Sequence, residues 1–238
     1  IGEDEEDLLY DDQLLFDNPG LNAEFFREGQ PTLNFIITRS AHLSYKYNEV
    51  LSYWALKKYP EFRGLTGNEE TDCAYLKARL EDKGQLENTV IIGVTDHYTY
   101  GYKDEKSLYA LSGVDDALLL ERTPCFIWSA DLQPMEVSKT LNTSDLLPTM
   151  LNLLGVDSPY DYIGRDAFDS TYEGCALFSD GSWISGDIAY DAGTERVLSI
   201  TGGEAEVSSE TLDAMAEKVQ QFVRINNLIL DTDYYKAK

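Results

Sequence analysis

Asp96 and His97 close the run Asn88-Thr-Val-Ile-Ile-Gly-Val-Thr95, so a carboxylate and an imidazole stand side by side at the end of an apolar stretch. Oxygen and imidazole nitrogen are both ordinary ligands for Mn2+, Zn2+ or Mg2+, and neighbouring ligands can approach one ion from two directions. The plainer reading of the same pair is a helix-capping aspartate beside a partly buried histidine. The chain's only other histidine, His42, repeats the arrangement: Leu33-Asn-Phe-Ile-Ile37 runs into Thr38-Arg-Ser-Ala-His42. There the plain reading of the imidazole is a partner for a loop carbonyl, although both histidines of the chain fall just after an expected core strand. Arg39 reads first as a surface, salt-bridging residue and second as a helper to His42.

These residues need elements to hold them. The β-branched run Thr89–Val94 shows almost no polar alternation, the pattern of a strand buried on both faces of a parallel sheet, and ligands bind beyond the carboxyl ends of such strands. Thr32–Thr38 reads as the first strand. Glu69–Lys83 reads as a helix with Cys73, Leu76 and Leu80 on one stripe and Gly84 as its stop, which completes a strand-helix-strand crossover. Arg122–Ser129 reads as a third strand. Tyr98–Tyr102 and the charged stretch Lys103–Lys106 read as a loop over the site.

Asn142–Gly155 is a helix capped by Thr143 or Ser144, with Asp145 as a first-turn residue rather than a ligand. Pairs of short apolar runs at 175–178, 183–184, 188–190 and 197–200, separated by glycines, form an antiparallel meander. The final helix runs from Ser209 to about Leu230 and docks the stripe Leu212, Met215, Ala216, Val219, Phe222, Val223 on a sheet. Two short helices are expected near the start, at 8–16 and 21–28. The aromatic-rich stretch 45–66 is mostly packing.

The whole is an α/β chain with a mostly parallel central sheet flanked by helices, followed by a small C-terminal antiparallel meander and a final helix. We read residues 1–238 as one domain, with 1–170 as its α/β core part and 171–238 as the meander and terminal helix. A net charge of -24, from 43 acidic and 19 basic residues, argues against a nucleic-acid partner, whose phosphates require a basic footprint. It also means that an anionic substrate would need local positive charge, which a bound cation supplies. Cys73, Cys125 and Cys175 have no paired spacing and read as small buried hydrophobes rather than a redox or zinc motif. No apolar run approaches the length of a membrane span. The opening Ile1, with neither an initiator methionine nor a signal peptide, reads as a cut inside a longer protein.

Taken in order, several motifs resemble a known family. They are Thr38-x-Ser40-x-His42, the strand ending in Asp96-His97, Arg122-Thr-Pro-Cys-Phe-Ile127, Thr143-x-Asp145-Leu-Leu-Pro-Thr-Met-Leu-Asn-Leu-Leu-Gly155 and Ile163-Gly-Arg-Asp166. This order is similar to the C-terminal part of the sulfatase-like catalytic domain of lipoteichoic acid synthases and related phosphoglycerol transferases, within the alkaline phosphatase superfamily. The resemblance implies an alkaline phosphatase/sulfatase-like fold. It also implies a bacterial enzyme, anchored in the membrane through a part not included here and working at the extracellular face. Such an enzyme moves glycerol phosphate from an anionic lipid, or acts on a related phospho- or sulfo-ester.

The resemblance further implies one divalent metal, Mn2+ first and Mg2+, Zn2+ or Ca2+ as alternatives, with Asp96 and His97 among its ligands. It implies that His42 contacts the phosphoryl group of the substrate. The family's nucleophilic threonine and its acidic partner have no counterpart in this chain, and neither Thr38 nor Thr95 sits at a helix N-terminus as that nucleophile does. Leu43-Ser44 and Tyr98 also depart from the family's usual residues. The isolated chain is therefore expected to be inactive, with a half-built metal site of weak or no affinity. The alternative class is a non-catalytic cell-surface binding module that keeps the fold without the chemistry.

Overall fold

A computed structural model of the chain describes residues 18–27, 29–38, 57, 69–98, 105–114 and 116–236. The expected helix at 8–16, nearly all of the aromatic stretch 45–66, Arg39, His42 and the tip of the Tyr98–Tyr102 loop lie outside the described residues. The chain divides into two compact units. One draws on Ile1–Asp96 and Thr123–Gln133, the other on His97–Arg122 and Pro134–Lys238.

In the first unit, α1 spans Pro19–Phe25 and α2 spans Glu69–Asp82. The strands β1 (Val90–Val94) and β2 (Cys125–Ser129) pair antiparallel, with Val90 opposite Ser129 and Val94 opposite Cys125. Their core joins Leu76 and Leu80 of α2 to Phe25, Phe26, Leu86, Ile91, Phe126 and Trp128, and the Lys77 ammonium lies 4.8 Å from the centre of the Trp128 ring. Gly93 permits this packing: a Cβ there would come within 2.0 Å of the Phe126 ring that covers it.

Three expectations are corrected here. First, among the described residues every strand pairing is antiparallel, so the parallel crossover into β1 is not formed among them. Second, residues 31–38 carry no strand, because a strand exists only where a neighbour takes its backbone hydrogen bonds. Leu33, Phe35 and Ile37 are accordingly 81%, 85% and 72% exposed. Third, β1 is half-buried rather than covered on both faces: Ile91 is its one buried residue, since a two-stranded ribbon has too little layer to cover both sides.

In the second unit, α3 spans Glu105–Ser112, so its first two residues fall in the stretch Lys103–Lys106 that was expected as loop, and α4 spans Ala117–Leu120. A 3-10 turn at Thr143–Asp145 leads into α5, Leu146–Leu153. The expected meander forms as β3 (Ala176–Leu177), β4 (Trp183–Ser185), β5 (Ile188–Asp191) and β6 (Arg196–Ser199), in that order and all antiparallel. The closing helix α6 spans Ser209–Asp231 and is capped by Ser208, whose hydroxyl accepts from Thr211 N–H.

The period-two alternation of the strands divides this core. Trp183, Ile188 and Tyr190 pack with Cys175 and Leu177 against Leu212, Met215, Val219, Phe222 and Val223 of α6. Ile184, Ala189 and Leu198 turn instead toward Leu118 and Leu119 of α4. Of the cysteines expected as buried hydrophobes, Cys175 is buried, whereas Cys125 at the start of β2 is exposed.

Candidate functional site

The run from Val90 to Val94 forms a strand because β-branched residues suit the pleat, and the chain bends at Asp96 and His97 as it leaves that strand. Both side chains are exposed at this end. His97 Nδ1 lies 2.8 Å from the Tyr98 carbonyl oxygen. A carbonyl can only accept, so Nδ1 is the donor in this contact. Histidines that bind metals are commonly oriented in this way, one ring nitrogen held by a carbonyl and the other turned to the ion.

Immediately before the pair, Thr95 Oγ1 is shut off from solvent and makes no hydrogen bond. The donor set therefore fits a divalent cation in type, one carboxylate oxygen and one imidazole nitrogen, but it is short in number. Among the described residues no group of three His, Cys, Asp or Glu side chains comes together. His42 and Arg39 lie outside the described residues, so the structure neither joins them to Asp96 and His97 nor separates them.

Asp145 was expected at the start of a helix rather than as a ligand, and that is its place. It is 3% exposed and accepts three hydrogen bonds: from Asn142 N–H at 2.9 Å, Arg165 N–H at 2.7 Å and Tyr172 Oη at 3.0 Å. The capping residue is Asn142, one position before the expected Thr143 and two before Ser144, and its side chain accepts from Ser144 N–H at 3.3 Å. The reciprocal bond, which Asn142 N–H donates to the Asp145 carboxylate, makes a capping box.

The bonds to Arg165 and Tyr172 were not foreseen, although Ile163-Gly-Arg-Asp166 held a signal for them. A Cβ on Gly164 would lie 1.9 Å from the Ser144 carbonyl oxygen, so only glycine lets this loop meet the helix start. Burial, and then the Asp145 charge, push the Tyr172 hydroxyl well above the usual tyrosine range. Thr149 completes the junction, donating to the Asp145 carbonyl at 2.7 Å and accepting from Ala167 N–H at 2.9 Å.

Hollows of about 190 and 760 Å3 lie along α6, and neither of these two is lined by Asp96 or His97. In the smaller, the polar groups of Asn142, Asp145 and Tyr172 are bonded within the protein. No helix among the described residues is long and apolar enough to cross a membrane.

Comparison with known proteins gives a match to the sulfatase family over residues 75–156, a span that contains both Asp96-His97 and Asp145. The lipoteichoic acid synthase-like protein YvgJ of Bacillus subtilis (strain 168) is 27% identical over 174 residues, covering 69% of this chain and 28% of that protein. Lipoteichoic acid synthase 2 of the same organism is 26% identical over 183 residues, covering 68% and 28%. The chain thus spans little more than a quarter of the length of these relatives. In fold it is similar to the crystal structure of the lipoteichoic acid synthase LtaP from Listeria monocytogenes. That match has a TM-score of 0.55 at 20% identity and covers 80% of this chain and 53% of that one. The resemblance to the sulfatase-like catalytic domain of lipoteichoic acid synthases is therefore borne out at the level of family model, relatives and fold.

Proposed function

We propose that this chain is part of a metal-dependent phosphoglycerol transferase of the sulfatase-like kind, working on an anionic glycerophosphate lipid at the outer face of a bacterial membrane. The observation that carries the reading is the sulfatase-family span 75–156, which includes the strand end bearing Asp96 and His97. In this reading the two side chains hold a divalent cation, Mn2+ in the first instance. Such a cation lowers the pKa of a bound hydroxyl and balances charge on a phosphoryl oxygen. His42 donates a hydrogen bond to the phosphoryl group, which counters the developing negative charge in a strongly acidic protein.

The nucleophile, the remaining metal ligands and the membrane anchor come from outside these 238 residues, in keeping with the share of the relatives that the chain spans. Thr32–Thr38 and β1 are then strands of a mostly parallel sheet completed by that outside part. Sulfate esters are the neighbouring substrate class, because their transferable group has the same tetrahedral oxygens.

The test is release of diacylglycerol from phosphatidylglycerol by the full-length protein. Activity that requires Mn2+ and falls about a hundredfold or more in both Asp96→Ala and His42→Ala is the expected result. Full activity in Asp96→Ala would remove the metal reading. No activity on phosphate or sulfate esters under any metal would return the chain to a non-catalytic surface module.

A further inference from the structure

The stripe of α6 that joins the meander core ends at Val223, yet the helix runs on to Asp231. Along its last two turns Ile225, Leu228 and Leu230 are 47%, 60% and 67% exposed. Large aliphatics gathered this closely on a surface mark a place where something docks. Beside them lies the hollow of about 760 Å3, walled by the turn 179–181 and by Gln220, Val223, Arg224, Asn227, Leu228 and Asp231 of α6. Steps of three and four residues put those six on one helix face.

The hollow is also unbalanced in charge. Asp180 and Asp231 line it, and Arg224 offsets only one of them. Glu121 adds a third carboxylate: burial, and then the Asp180 charge, hold its carboxyl above the usual range. None of the three acids has an ion-pair partner among the described residues. The carbonyl end of α6, at Asp231, adds further negative potential.

We propose that the hollow and the bare end of α6 form one docking groove for an amphipathic, basic helix of a polypeptide partner. Its apolar side chains lie on Val223 and Leu228, and its lysines or arginines face Asp180 and Asp231. A helix in a groove supplies apolar anchors every three to four residues, the spacing that α6 itself presents. Charge complementarity selects this occupant. A second copy would bring another charge of -24 against the same acidic walls, and an anionic lipid surface would meet the same repulsion. Neither Asp96 nor His97 takes part.

The experiment titrates the full-length protein into a fluorescein-labelled helix of about 18 residues, leucine and lysine at amphipathic spacing, and reads fluorescence anisotropy in about 150 mM salt. A second peptide has serine for leucine and so keeps the charge without the apolar face. The variants are Leu228→Glu, Asp231→Lys and, as a control on α6 outside the hollow, Asp213→Lys; all three positions are exposed, so their unfolding midpoints should match wild type. Affinity for the leucine peptide should fall about tenfold or more in Leu228→Glu and Asp231→Lys, and stay within about twofold in Asp213→Lys. Equal affinity for the serine peptide, or unchanged affinity in Leu228→Glu, overturns the proposal, because binding would then follow net charge alone. Wild type that ignores the leucine peptide overturns it as well. Self-association lost in Leu228→Glu would then put a second copy in the groove, and binding to phosphatidylglycerol vesicles lost in the same variant would put a lipid surface there.

Discussion

Asp145 shows how a residue that could have been a ligand is instead consumed by structure. Its two oxygens serve three donors from three segments, 142, 165 and 172, and the side chain is 3% exposed. Asp145→Asn is the sharp test, since the new amide hydrogens must face one of those donors. The expected cost is about 2–4 kcal/mol in urea unfolding. Tyr172→Phe should cost about 1–2 kcal/mol, and the two changes should be non-additive because they share one bond.

Nearby, Asp169 is held at about 2, chiefly by the Thr171 hydroxyl, then by Thr171 N–H and by Arg165. Its folded-state value is depressed, so its contribution is fully present above the ordinary carboxylate value near pH 4 and is lost as pH falls toward 2. In Thr171→Ala, an NMR titration of the Asp169 carboxyl should move up toward the ordinary value. An unmoved midpoint would assign the shift to the residue-171 N–H and Arg165 instead.

Among the elements, α6 and the meander are tied by burial. Trp183 is 2% exposed between β5 and the α6 stripe, and Trp183→Ala should cost about 3–5 kcal/mol. The opposite outcome is expected at Phe35, whose ring is 85% exposed in this chain. Phe35→Ala should leave the unfolding midpoint of the 238-residue chain unchanged. In the full-length protein, where we propose that Thr32–Thr38 joins a sheet, the same change should cost about 3–5 kcal/mol. Equal midpoints in both forms would show that the segment is not a core strand. The contrast is physical: an apolar alternation announces that a strand is possible, and only a neighbouring strand makes it one.

At the scale of the whole molecule, two ligands hold Mn2+ poorly. The isolated 238-residue chain should show no saturable Mn2+ binding below about 100 μM by isothermal titration, because most of the coordination shell would remain water. Sub-micromolar binding that vanishes in Asp96→Ala would place all the ligands inside these residues.

The sequence by itself determined what local rules govern. Helix Glu69–Asp82, the meander with its glycine turns, the Ser208-capped helix and the apolar run ending in Asp96-His97 all follow from periodicity and capping, which act over a few residues. Tertiary structure alone decided which partner each element found. It paired β1 antiparallel with β2, left Leu33, Phe35 and Ile37 bare, drew Arg165 and Tyr172 onto Asp145, and stranded the Thr95 hydroxyl. Pairing, burial and hydrogen-bond satisfaction are properties of residues distant in the chain, and no local pattern encodes the neighbour that supplies them.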